Sequence, residues 1–141
     1  MTSPNTKNSA LATTDAVIEV VDALMDIAEA LHSALRLLPE QGNVSTEKAY
    51  ALITEEYGLR TRLGILRSDA TNRTVDGITV SQEQLLDLLR AVATSFRQTK
   101  SLESIAFVVN SVSVLCVSIF PGKTETVNFL IERLQGDLVT I

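Results

Sequence analysis

Residues 14–38, TDAVIEVVDALMDIAEALHSALRLL, decide the fold class. Val17, Val21, Leu24, Ala28, Leu31, Leu35 and Leu38 alternate spacings of four and three. This is a heptad seam that gathers all of them on one side of a helix. Such a seam packs at a shallow angle, as in helical bundles. Ile18, Val20, Met25, Ile27 and Ala34 widen the apolar face, which predicts contact with more than one neighbour. Thr14 or Asp15 is placed to cap the free amides of the first turn. Pro39 stops the helix, and Gly42-Asn43 follows as a turn.

The opposite side of the same helix carries Asp15, Glu19, Asp22, Asp26 and Glu29, again spaced four, three, four and three, with no Lys or Arg among them. Like charges at these spacings cost about 0.2–0.5 kcal/mol per pair on an isolated helix, on the order of 1–2 kcal/mol for the row. Either the row is a solvated face or one paired with the chain's own arginines, or it docks a basic partner. Arg60, Arg62 and Arg67 on the second helix are available for internal pairing and form a second candidate surface. Electrostatic docking would speed encounter and select the partner, and the acid row is the functional hypothesis carried forward.

Further along, Leu52, Leu59 and Leu66 recur every seven residues, with Ala49 and Leu63 beside them. They predict a second helix opening at Ser45, with Glu47 near the positive end of its dipole. Gly58 and Gly64 each cost roughly 1 kcal/mol against alanine, so the helix is expected to be continuous but weak there. Residues 68–80 are the least helical stretch, and Asp76-Gly77 leaves room for a small hairpin. Ser81 and Gln84 form a capping box, and Val80 and Leu85 have staple spacing. They open a third helix whose stripe is Leu85, Leu89, Val92 and Phe96. A fourth helix runs from near Ser101 to before Pro121, and a fifth from Thr124 through Val127, Leu130, Ile131, Leu134 and Leu138.

Ile105–Phe120 is apolar nearly all round and rich in valine. It is short for a membrane span and carries Asn110 and several serines, so a buried central helix is expected. Ser104, Ser111 and Ser118 lie seven apart, a small-residue stripe suited to intrachain packing or to a homodimer seam.

Composition narrows the function classes. The chain has 141 residues, 45% hydrophobic and only 4% aromatic, with no Trp, so its core is aliphatic. One cysteine, Cys116, excludes an internal disulfide. Net charge of −5 and the lack of stacking aromatics beside Arg60, Arg62, Arg67 and Arg73 disfavour nucleic acid. The N-terminal run lacks the apolar core of a secretory signal, so a cytoplasmic location is expected. The sequons at Asn43 and Asn72 are then chance matches.

No catalytic set emerges. His32 borders the apolar face and reads as a hydrogen-bonded structural histidine, and with Cys116 it is too thin a set for zinc. Gly122-Lys123-Thr124 has the letters of a P-loop end, but Val117 stands where the earlier glycine belongs, and Thr124 reads as an N-cap. Glu55, Glu56, Asp69, Glu83 and Asp87 include only one helical pair, Glu83 with Asp87, for a divalent metal.

The expectation is therefore an all-α, compact bundle of four to five antiparallel helices with a largely buried fourth helix. Residues 1–13 form a disordered tail and residues 14–141 a single domain. The expected function is non-enzymatic protein–protein interaction, as an adaptor, an inhibitor or immunity protein, or a chaperone-like regulator. The partner is a protein with a basic surface or a second copy of the chain, with no cofactor, metal, nucleic acid or membrane. A small-molecule or lipid-binding bundle is the alternative, and a metal-dependent hydrolase the third reading.

Overall fold

The computed structural model describes residues 8–37, 46–98 and 101–139. Among the described residues the chain forms five α-helices: α1 (Thr14–Leu37), α2 (Thr46–Ser68), α3 (Gln82–Gln98), α4 (Leu102–Ile119) and α5 (Thr124–Val139). They close into a ring in the order α1, α2, α4, α5, α3. Successive helices alternate in direction. Asp22 meets Arg67 and Glu29 meets Arg60 across α1 and α2, whereas Lys48 meets Glu103 and Glu55 meets Ser113 across the like-directed α2 and α4. The bundle is all-α, as the periodicities predict.

The seam residues of α1 from Val17 to Leu35 are all buried. Ala16, Val20, Ile27, Ala30 and Ala34 are buried too, because α1 is wedged between α2 and α3. Up to Glu29, the exposed positions of α1 are the five acidic ones. Leu59, Leu63, Leu66, Leu85, Leu89, Phe96, Ile105, Val108, Leu115, Val127 and Leu134 complete the core from the other helices.

α4 is long and apolar enough, by composition alone, to cross a membrane, but most of it is buried inside the bundle. The bundle interior accounts for its apolarity. Ser101 caps it by accepting the Ser104 N–H at 3.2 Å. The predicted capping box on α3 is formed in both directions: Ser81 N–H donates to Gln84 Oε1 at 2.8 Å, and Gln84 N–H to Ser81 Oγ at 3.0 Å. α2 is unbroken through Gly58 and Gly64.

The structure corrects two local expectations, the caps of α1 and α5, and decides two further points at the N-terminus and over residues 68–80. Thr13, not Thr14 or Asp15, caps α1, its Oγ1 accepting the Ala16 N–H at 3.0 Å. Of the tail expected over residues 1–13, the described part from residue 8 onward packs on the bundle. Ala10 and Leu11 have no exposure at all, and Leu11 adopts φ 64 to turn inward. Burying a leucine gains about 1.5–3 kcal/mol, which is of the size needed to offset the strain of a left-handed non-glycine residue. No hairpin forms over residues 68–80. A 3₁₀ turn at Ala70–Asn72 leads into extended chain that bonds to the N-terminal segment instead. Val75 N–H donates to Leu11 O at 2.8 Å and Ala10 N–H to Val80 O at 3.1 Å. Finally, Thr124 is not a cap. Its hydroxyl donates to Asp76 O at 2.6 Å and ties the start of α5 to the Asp76-Gly77 turn, where Gly77 has φ 80. The predicted turn at Pro39, Gly42 and Asn43, the start at Ser45 and the seam residue Leu38 lie outside the described residues.

Candidate functional site

The acid row of α1 faces outward along the valley between α2 and α3. The spacing of four and three directs its members alternately to the two walls. Glu19 accepts from Gln82 Nε2 of α3 at 3.2 Å, and Asp22 pairs with Arg67 of α2. Asp26 receives Arg97 of α3 at 2.7 and 3.3 Å, and Glu29 receives Arg60 of α2 at 2.9 Å. Three of the five acids, Asp22, Asp26 and Glu29, are thus paired with the chain's own arginines, one of the readings the sequence leaves open. Arg97, the partner on the α3 side, was not among the arginines expected to serve. Hydrogen bonding to Asp26 raises the Arg97 pKa, and bonding to Glu56 and Glu29 raises that of Arg60. Asp15, at the free end of the row, joins Glu19 and Glu83 in lining a polar cleft of about 710 Å³.

Arg60 also donates from Nε to Glu56 at 2.8 Å, and Glu56 in turn lies 3.2 Å from His32 Nδ1. Glu56 is a buried carboxylate satisfied from both sides, so its neighbours explain it without catalysis. Asp69 is held by Asn72 and Arg73, which keep its carboxyl below the usual range. Arg73 further donates to Phe120 O at 2.7 Å and lies over the Phe120 ring, locking the α4–α5 turn to the α2–α3 connection. Asp87 pairs with Arg90. Among the described residues, no three His, Cys, Asp or Glu side chains converge on a point that would suit a metal.

Two members of the serine stripe of α4, Ser111 and Ser118, are buried against the rest of the bundle, and Ser104 is half-buried. Ser111 donates to Asp137 of α5, and Ser118 donates back to Leu115 O at 2.6 Å. Cys116 is buried, and burial pushes its thiol pKa up to about 11. A thiol so protonated is a poor nucleophile.

A different surface emerges between α2 and α4. It is a groove of about 480 Å³ lined by Ala51, Leu52, Ala106, Phe107, Val109 and Asn110, with Lys48, Glu55 and Glu103 at its edges. Lys48 donates to Glu103 at 2.8 Å across one end, which holds the Glu103 carboxyl below its usual range. Glu55 accepts from Ser113 Oγ at 3.1 Å farther along. Beside the groove, α4 exposes a line of Glu103, Phe107, Asn110, Val114 and Val117. Phe107 is 51% exposed, Val114 37% and Val117 44%, although the rest of α4 is largely buried. Tyr50, Ile53 and Tyr57 are exposed on α2. The line on α4 has the same four, three, four, three spacing as the acid row. Sequence reading missed it because α4 is apolar on every side, so periodicity could not single out the side left uncovered.

Arg62 stands at the other end of this face. Its charge acts on Cys116, and its guanidinium lies over Gly58. Among the described residues it has no ion-pair partner, unlike Arg60 and Arg67. The two halves of the second candidate surface therefore separate: Arg60 and Arg67 serve α1, and Arg62 serves the α2–α4 face.

No family profile matches the chain, and neither does any curated protein or solved structure. The functional reading therefore rests on the geometry alone.

Proposed function

We propose that this chain is a non-enzymatic protein–protein interaction module, of the adaptor, inhibitor or chaperone-like kind, that docks its partner on the α2–α4 face. The observation that carries the reading is the exposed Phe107–Val114–Val117 line on an otherwise buried helix. Contiguous apolar surface rimmed by polar groups is the usual mark of an interaction site. Lys48, Glu55, Glu103 and Arg62 supply that rim. The fitting partner is a helix that presents apolar side chains at spacings of three and four, with a polar group opposite Asn110. The acid row is less suited to docking, because a basic partner would have to displace arginines already held there. Indifference to nucleic acid belongs to the same reading, supported by the net charge of −5, as does the cytoplasmic location expected from the sequence.

A photoreactive amino acid in place of Phe107, introduced in the cell that makes the protein, tests this. One discrete protein adduct is expected there, and none from Glu132, which is exposed on α5. Equal, diffuse labelling at both positions would refute the docking face.

The size of the groove favours a second reading. At about 480 Å³ it falls in the range of small-molecule sites. An apolar ligand copurifying with the chain in native mass spectrometry, and lost on Phe107→Glu, would favour that reading instead.

A further inference from the structure

We infer that the occupant of the α2–α4 face is a second copy of this chain, bound through a two-fold axis that passes beside Asn110 at right angles to α4. This rests on the docking face proposed above and names its partner. Three features of the face are self-complementary about that point.

The exposed line on α4 is centred on Asn110, with Glu103 and Phe107 before it and Val114 and Val117 after it. A copy turned about Asn110 runs antiparallel and sets Phe107 against Val114 of its mate, twice. The heptad spacing suits this, because a line repeating every three and four residues stays in register with a neighbouring helix.

Asn110 is the one polar group in the middle of the line. A carboxamide carries both donors and an acceptor, so it is satisfied by its own symmetry mate. A purely apolar partner would leave it buried without a hydrogen bond. A single polar residue at the centre of an apolar helix seam is also a known means of setting register.

The charges at the two ends are complementary. One end holds Glu103 with Lys48, and Glu47 is exposed beside them. The other end holds Arg62, which has no ion-pair partner among the described residues. An axis perpendicular to α4 keeps α2 of each copy on the same flank and exchanges the ends. Arg62 of each copy is thereby delivered to the Glu47 and Glu103 end of the other. Glu55, on the shared flank near the axis, is drawn down to Ser113 of its own chain at 3.1 Å. Isologous pairing of this kind is the commonest form of protein self-association.

The test uses the full chain in sedimentation equilibrium and in disulfide trapping. Wild type is expected at twice the chain mass, and Phe107→Glu at the chain mass with unchanged helicity. Arg62→Glu is expected to weaken dimerisation about tenfold, and adding Glu103→Arg to recover most of that loss. Under mild oxidation Asn110→Cys should cross-link to its mate. Val117→Cys should not, because seven residues at 1.5 Å each put its two copies about 20 Å apart, beyond disulfide reach. The buried native Cys116 is expected to stay out of the reaction. A chain that stays monomeric up to 100-fold changes in concentration overturns the inference, and so does equal cross-linking at 110 and 117. If the chain is monomeric but a photoreactive residue at 107 still captures a different protein, the docking face stands and only this occupant falls.

Discussion

Arg97 of α3 holds Asp26 of α1 with both arms of its guanidinium, Nη2 on Oδ1 at 2.7 Å and Nη1 on Oδ2 at 3.3 Å. The pair joins two helices that are already packed through their apolar stripes, and it explains how an acidic row without a local cation is tolerated. Both side chains are about half exposed, so the coupling is small. A double-mutant cycle on Asp26→Ala and Arg97→Ala should give a coupling of about 0.5–1 kcal/mol, falling in high salt. Reversing Asp22 and Asp26 together to lysine sets like charges against Arg67 and Arg97. Urea denaturation should show a loss of about 1–3 kcal/mol for that variant, without loss of helix content.

The N-terminal segment should behave as part of the core. Leu11→Ala removes a side chain with no exposure, and the expected cost is about 2–4 kcal/mol in urea or thermal unfolding. A disordered tail would show no change.

Glycine in α2 gives a gain in place of a loss. A methyl group on Gly64 meets nothing within 4 Å, and the helix is regular there. Gly64→Ala should raise stability by about 1 kcal/mol. At Gly58 the new methyl approaches Arg62 Nη1 at 3.3 Å, so that side chain must shift and a smaller gain is expected. Midpoints in urea at constant slope distinguish the two.

Cys116 sets an alkaline limit on stability. Its thiol is raised from 9.0 to about 11 by burial, with Arg62 acting weakly the other way. Above pH 9 the unfolded chain releases this proton and the folded chain retains it. Stability is therefore lost as pH rises from 9 towards 11, by up to about 2–3 kcal/mol from this group. Cys116→Ser should flatten that part of the pH profile. A thiol-reactive dye should label the native wild type far more slowly than the unfolded chain.

The parts of the molecule legible in the sequence are those set by neighbours along the chain. The heptad seam from Val17 to Leu35, the Ser81–Gln84 box and the stop before Pro121 are local patterns with local causes. The pairing of Asp26 with Arg97 is not local, since it depends on α3 lying beside α1. Ala10 and Leu11 were hidden in a polar run too short to show periodicity. Their burial depends on Val75 and Val80, whose backbones they meet only in the folded chain. The candidate face was written in the spacing of Phe107, Asn110, Val114 and Val117, but only the ring of helices shows that this side of α4 is left open.

The most direct measurement of the central claim compares two surfaces in one assay. A photoreactive residue at Phe107 is read out in the Asp22→Lys, Asp26→Lys background and in the Val114→Glu, Val117→Glu background, with circular dichroism confirming that each variant is folded. The account predicts that the adduct survives reversal of the acid row and disappears when α4 is charged. An adduct abolished by the lysines and untouched by the glutamates would contradict it.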